Sequence, residues 1–305
     1  MKDLIIIGGG PSAITAAIYA ARAKMSTLLI AKDLGGYITK TDKIENYTGF
    51  KCVSGLELFS SFEEHLKSYD VEIVEDEFVK RVFQKDDVVF VELDNGKIFN
   101  SKTAIVATGS ERKKLGIPGE DEFLNKGVTY CAVCDGSLFQ GQVVAVIGGG
   151  YAGTKSALYL SKIAKKVFII ELESDLSGED LLIEQVKGTK NIEVILGAKT
   201  LEIFGDDFVK GLFYEKDGEK VKLGVDGISI EIGLVPNSGI IDVKKDSNGC
   251  IIVDKDMRTS SSKIFAAGDV NNVGPEQIVV AAAQGCIAAL RAKEELKWNW
   301  IEYWL

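Results

Sequence analysis

The chain has 305 residues, 46% hydrophobic and 27% charged, enough for two domains of ordinary size with substantial cores. Its formal net charge of -9 argues against a nucleic-acid partner, because a phosphate-binding surface shows as a basic excess. A single histidine limits histidine-based metal and acid-base sites, and five cysteines fit a reducing compartment, where a vicinal pair is more often catalytic or metal-binding than structural.

The chain starts in an apolar strand with Asp3 near its head, which argues against a signal peptide, and runs such as 278–283 are too short to span a bilayer. A cytoplasmic protein with no membrane partner is expected. The strand enters Gly8-Gly9-Gly10-Pro11-Ser12-Ala13 and then an alanine-rich helix. Strand, glycine turn and helix in that order suit a dinucleotide. The first glycine makes the turn, the second admits the pyrophosphate, and the third small residue lets helix pack on strand. The phosphates then face the helix N-terminus. A buried strand from Thr103 ends at Ala107-Thr108-Gly109, followed by a polar connector over 110–114 and a turn at Gly116-Ile117-Pro118-Gly119. Next come Cys131-Ala132-Val133-Cys134-Asp135-Gly136 and a second copy of the fingerprint, Val143 to Ile147 with Gly148-Gly149-Gly150-Tyr151-Ala152-Gly153.

Further strands are expected at Lys166–Glu171 and Val194–Leu196, with a hairpin at Asp217-Gly218 and a second connector near Gly233–Ser238. Ile264–Val270 and a helix from Gln277 to Leu296 read as a return to the first domain. The fold class is α/β, with two Rossmann-like dinucleotide-binding domains, the second inserted into the first. Residues 1–112 and 244–305 form the split domain and 113–243 the insert.

Cys131 and Cys134 can close a small disulfide loop, in which a thiolate is the working nucleophile. A zinc site is a poor alternative, because Cys52, Cys250, Cys286 and His65 show no ligand-like pairing; no metal is expected. Cys52 and Cys286 read as core residues and Cys250 as a turn residue.

With these pieces in order, the chain resembles the low-molecular-weight thioredoxin reductase family of flavoproteins from end to end. The resemblance rests on Gly8–Ala13, Gly35-Gly36, Ile44-Glu45-Asn46-Tyr47-Thr48-Gly49-Phe50, Ala107-Thr108-Gly109, Leu115–Glu120, Cys131–Gly136 and Ala266-Ala267-Gly268-Asp269-Val270. It implies FAD, a homodimer, and domain rotation that exposes the dithiol in turn to flavin and to thioredoxin. It implies FAD contacts at Gly8, Gly10, Pro11, Ser12, Ala13, Gly35, Gly36, Asn46, Ala107, Thr108, Gly109, Gly268, Asp269 and Gln277. Asp269 also suits a helix N-cap. By the same resemblance Cys134 lies against the flavin, Cys131 is its partner, and Asp135 protonates a leaving thiolate.

The second fingerprint departs from the family pattern. Where the family carries His-Arg-Arg for an NADP 2′-phosphate, this chain has Ile169-Ile170-Glu171-Leu172-Glu173-Ser174-Asp175, and no arginine lies between Lys113 and Met257. NADPH is therefore disfavoured, while Glu171 stands where an acid can bind the ribose of NADH. Tyr151 replaces a small polar residue, and Lys155-Ser156 replace a pair of glutamates, which weighs against nucleotide docking. A branch of the family is reduced by ferredoxin, and Lys155, Lys162 and Lys166, set on one helical face, would meet an acidic ferredoxin; ordinary solvated surface is the other reading. The aromatic end, Lys297–Leu305, suggests a flavin cap, a dimer seal or core packing. The expected function is a disulfide reductase acting on thioredoxin or a thioredoxin-like protein, with ferredoxin favoured as donor and NADH next. A flavin-binding redox sensor without turnover is the alternative from another class. A peroxiredoxin reductase component is the other, against which the lack of an N-terminal thioredoxin-like module weighs.

Overall fold

A computed structural model describes residues 1–298 except Asp42, Lys43 and Glu45; the side chains of Lys40, Val133, Cys134, Lys297 and Trp298 lie outside the description. The chain divides into two compact units. One comprises Met1–Glu111 with Val235–Leu305, and the other Arg112–Leu234. The second crossing thus falls at Leu234/Val235, before the expected 243/244, because Val82 N–H bonds Ile240 C=O and ties that segment to the first unit.

The first unit opens with β1 (Lys2–Ile7), α1 (Pro11–Arg22) and β2 (Thr27–Ile30). Alanine carries α1 because it has the best helix propensity and the least bulk against the sheet. Pro11 starts the helix where its missing N–H costs nothing, and Lys24 (φ 54°) stops it. Then come α2 (Gly55–Lys67), β3 (Glu72–Val74), β4 (Val79–Lys85), β5 (Val88–Leu93) and β6 (Ile98–Val106). Strands β3, β2, β1 and β6 are parallel neighbours, whereas β4 and β5 form an antiparallel ribbon on the lower part of β6.

The chain leaves through β7 (Ser110–Arg112) into the second unit, which holds β8 (Val128–Thr129), α3 (Ala132–Asp135), β9 (Val143–Ile147), α4 (Tyr151–Leu160) and β10 (Lys166–Ile170). It continues with α5 (Asp180–Gly188), β11 (Ile192–Ile195), β12 (Lys199–Gly205), β13 (Val209–Lys216), β14 (Glu219–Gly224) and β15 (Gly227–Ile230). Its main sheet is parallel, in the order β11-β10-β9-β15-β8. The expected hairpin joins β13 to β14, with Asp217 (φ 53°) and Gly218 (φ 80°) both left-handed, as a two-residue turn requires.

The return passes through β16 (Leu234–Pro236), which pairs with β7, to β17 (Ile264–Ala266) and α6 (Ile278–Trp298). β17 adds a parallel partner to the upper part of β6. Gly285 of α6 meets α1 at Ser12, where an added Cβ would lie 2.1 Å from the Ser12 carbonyl oxygen. The parallel strands of the two larger sheets, β3-β2-β1-β6 with β17 and β11-β10-β9-β15-β8, carry the Rossmann-like α/β fold, with a glycine turn after β1 and after β9. Among the described residues no helix is long and apolar enough to cross a membrane.

Three expectations change. α4 ends at Leu160, so only Lys155 of the proposed lysine stripe is helical; Lys162 lies in the following turn, and Lys166 opens β10 and pairs with Glu193 at 2.7 Å. Cys52 is an exposed free thiol, not a core residue. Asp269 precedes α6 by a loop, which removes its N-cap role. The aromatic tail from Asn299 to Leu305, with the side chains of Lys297 and Trp298, lies outside the described residues.

Candidate functional site

At the first glycine turn, Gly8 N–H bonds Ile30 C=O, and Ala107 N–H bonds Ile7 C=O, both within 2.9 Å. The turn is therefore clamped between β2 and the end of β6. Gly8 (φ 125°) can only be glycine: an added Cβ would lie 2.2 Å from the Ala107 carbonyl oxygen. Gly10 differs. A Cβ there would meet nothing within 4 Å, and as N-cap of α1 it offers no side chain to the helix's unpaired N–H groups. Gly35 N–H returns to Gly9 C=O at 2.8 Å, and this loop brings Gly36 against Gly10. Gly268 (φ 81°) abuts Ser12, with half-buried Asp269 beside it.

Of the remaining expected contacts, Pro11, Ser12 and Ala13 open α1, Ser12 and Ala13 being buried. Asn46 Nδ2 donates to Gln277 Oε1 at 2.8 Å, so two residues far apart in sequence form one exposed pair before α6. Thr108 Oγ1 donates to Asn237 C=O at 2.8 Å, and Asn237 N–H donates to Gly109 C=O at 2.9 Å, fixing the Ala107–Gly109 loop. Gln284 Oε1 accepts from Gly268 N–H and from Asn271 Nδ2, each at 2.7 Å. Asn237 and Gln284 were not legible as site residues, because each acts on a loop remote in sequence. The cradle of small residues around an open helix N-terminus fits an FAD pyrophosphate. No carboxylate directly follows β2, however: buried Ala31 stands there.

The second turn repeats the clamps. Gly148 N–H bonds Ile170 C=O at 2.9 Å, Glu231 N–H bonds Ile147 C=O at 2.8 Å, and Ser177 N–H returns to Gly149 C=O at 3.1 Å. Its surroundings differ. The Glu171 carboxylate accepts from Gly149 N–H and, at 2.9 Å, from Glu173 N–H. Leu176 packs on Gly149, where an added Cβ would lie 2.5 Å from its side chain. Tyr151, first residue of α4, is 51% exposed, and Lys155 Nζ stands 5.7 Å from its ring centre.

The Cys131 turn lies between β8 and α3. Cys131 is disulfide-bonded, whereas Cys52, Cys250 and Cys286 are free thiols; the Cys134 side chain lies outside the description. Thr129 Oγ1 accepts from Cys131 N–H at 3.0 Å and donates to the Asp135 carboxylate, which is half-buried. Before the turn, buried Glu120 accepts from Leu115 N–H (2.8 Å), Gly116 N–H (2.7 Å) and Tyr130 Oη (2.7 Å). Burial first, and the Glu120 carboxylate second, push the Tyr130 phenol well above its ordinary range.

Beneath the turn sits Glu231, only 7% exposed. Its Oε1 accepts from Ser229 Oγ (2.9 Å), Ser156 Oγ (3.0 Å) and Ala132 N–H (3.4 Å), and Arg112 reaches Oε2 at 3.8 Å. Burial pushes its carboxyl above the usual range, against the opposing pull of Ser229, Arg112, Ser156 and the Ala132 N–H. Sequence reasoning missed Glu231. The available signal was one acid directly after the apolar run Gly227–Ile230.

The family model for pyridine nucleotide-disulphide oxidoreductases matches residues 2–285. The chain belongs to that family. Among the family's curated members, an NADH dehydrogenase of Ferdinandcohnia aciditolerans is 41% identical over 298 residues, which cover 96% of this chain and 57% of that protein. A component of the alkyl hydroperoxide reductase of Staphylococcus epidermidis is 39% identical over 294 residues, or 95% of this chain and 58% of that protein. The chain thus spans little more than half the length of these curated relatives. Among solved structures, a thioredoxin reductase from Lactococcus lactis is 36% identical with a TM-score of 0.78, covering 97% of this chain and 99% of that one. A ferredoxin-flavin thioredoxin reductase from Clostridium acetobutylicum is 33% identical over 98% of this chain and 99% of that one, with a lower TM-score of 0.56.

Proposed function

We propose that the chain is an FAD-dependent disulfide reductase that takes electrons from NADH and passes them through Cys131 and Cys134 to thioredoxin or a thioredoxin-like protein. The observation that carries the reading is the disulfide-bonded Cys131 in a turn whose Thr129 hydroxyl bridges its amide to Asp135. When bound at the first glycine turn, FAD supplies a two-electron carrier between donor and dithiol. Opening the disulfide takes two electrons and two protons. By the family resemblance Asp135, whose carboxylate accepts from the Thr129 hydroxyl, gives a proton to a leaving thiolate.

Three supports favour NADH over ferredoxin. Glu171 ends β10 at the second turn, where an acid accepts a ribose hydroxyl, and the lysine stripe expected for ferredoxin does not form. Relatives named NADH dehydrogenase point the same way. The ferredoxin-linked branch remains the second reading, because one structural neighbour carries that activity in its name. A relative named for alkyl hydroperoxide reduction makes a peroxiredoxin-linked thiol protein a competing acceptor. As in the resemblance, the working form is a homodimer.

The test is anaerobic reduction of the FAD-loaded protein with NADH, NADPH and reduced ferredoxin in parallel, followed by thioredoxin-disulfide turnover. NADH is expected to bleach the flavin within a turnover, NADPH far more slowly. Bleaching by ferredoxin alone overturns the donor, and failure to take up FAD overturns the cofactor. Cys131→Ser should abolish disulfide turnover while keeping flavin, because one thiol cannot complete exchange through a mixed disulfide. Near-normal turnover in that variant overturns the dithiol route.

A further inference from the structure

One buried carboxylate in the second unit has no part in the reading above. Glu231 leaves the end of β15 and reaches the peptide that follows Cys131, accepting from Ala132 N–H at 3.4 Å. Two hydroxyls fix it from different elements: Ser229 on β15 at 2.9 Å and Ser156 on α4 at 3.0 Å. Its backbone lies against the second glycine turn, where a Cβ on Gly148 would stand 2.5 Å from the Glu231 carbonyl oxygen. The charged group facing it is Arg112 on β7, at 3.8 Å.

We propose that Glu231 is a positioning residue for the dithiol: it anchors the peptide after Cys131 and makes the thiol–disulfide equilibrium depend on its own charge. The inference rests on the disulfide-reductase reading. The physical cause is like-charge repulsion from a carboxylate that is itself buried. A carboxylate bonded to the peptide that follows Cys131 opposes a thiolate at Cys131. Where Cys131 is a thiolate, charged Glu231 therefore favours the disulfide, and a neutral residue in its place favours the reduced form.

The experiment equilibrates the whole protein with glutathione buffers across the mildly acid to alkaline range and counts Cys131 thiols by alkylation. It needs neither a donor nor thioredoxin turnover. In the alkaline range, where Cys131 of the reduced protein is a thiolate, Glu231→Gln should shift the equilibrium about tenfold towards the reduced form, roughly 30 mV for a two-electron couple. At lower pH, where the Cys131 thiol is neutral, the two curves should coincide. Ser156→Ala keeps the charge but removes one donor to it, so its inflexion should move to higher pH relative to wild type. Should Glu231→Gln fail to fold, an unmoved inflexion in Ser156→Ala overturns the inference. If Glu231→Gln folds and its curve coincides with wild type throughout, the inference alone fails. A wild-type disulfide inert to glutathione overturns the reductase reading and the inference with it.

Discussion

The two glycine turns repeat each other bond for bond. Gly8 and Gly148 bond Ile30 and Ile170, Ala107 and Glu231 bond Ile7 and Ile147, and Gly35 and Ser177 return to Gly9 and Gly149. What differs is the side chain that each shared backbone position carries. Ala31 and Ala107 flank the first turn, whereas Glu171 and Glu231 flank the second, both as carboxylates with hydrogen-bond donors. The loop over the first turn is Gly35-Gly36; over the second it is Leu176-Ser177. A fingerprint fixes where backbone N–H groups point. The residues that end the neighbouring strands decide what those groups meet, so one turn stays open and the other meets acid.

The largest effect comes from what the turns share. Gly8→Ala and Gly148→Ala each force a Cβ against a backbone oxygen, at 2.2 and 2.5 Å, in a left-handed conformation. Each should cost roughly 4 kcal/mol and be visible as loss of folded protein in urea titration. Gly10→Ala meets open space and should leave stability within about 0.5 kcal/mol. If the pyrophosphate uses that space, the same variant should still lose FAD on dialysis. Equal stability of the Gly8 and Gly10 variants would break the comparison.

A smaller effect separates the two turns. Glu171→Ala should raise the KM for NADH about tenfold, the loss of one charge-assisted hydrogen bond, while FAD retention stays unchanged. An unchanged KM would leave Glu171 with only its structural bonds to Gly149 N–H and Glu173 N–H.

The smallest effect is on stability. The Glu231 carboxyl is raised in the folded protein, so the native state holds that proton more tightly than the unfolded chain. Ionised Glu231 therefore opposes folding above the unfolded value of about 4.5, and the penalty disappears below it. Melting temperatures of Glu231→Gln and wild type should agree in acid and diverge in favour of the variant as pH rises. A constant offset at every pH would mean that packing, not charge, separates them.

Much of this was legible in the chain. Both fingerprints, the Cys-x-x-Cys turn, the hairpin at Asp217-Gly218 and the last helix are local patterns, written in glycine spacing, alanine content and turn chemistry. The lysine stripe misleads because helical periodicity does not continue past Leu160, where the chain turns at Ser161–Ala164 and enters β10. Cys52 misleads because apolar neighbours in sequence do not ensure burial when a loop holds the residue outside.

The sequence by itself determined the two nucleotide-type turns, the dithiol between them and the absence of an arginine clamp, because each depends on residues within one short segment. Only the tertiary structure decided that Asn46 meets Gln277 and that Gln284 holds Gly268. It also decided that Glu231 reaches the peptide after Cys131, a residue about a hundred positions away. Parallel strands bring such residues to one end of a sheet through long crossovers. Adjacency across a crossover is fixed by strand order and register, which no local pattern encodes.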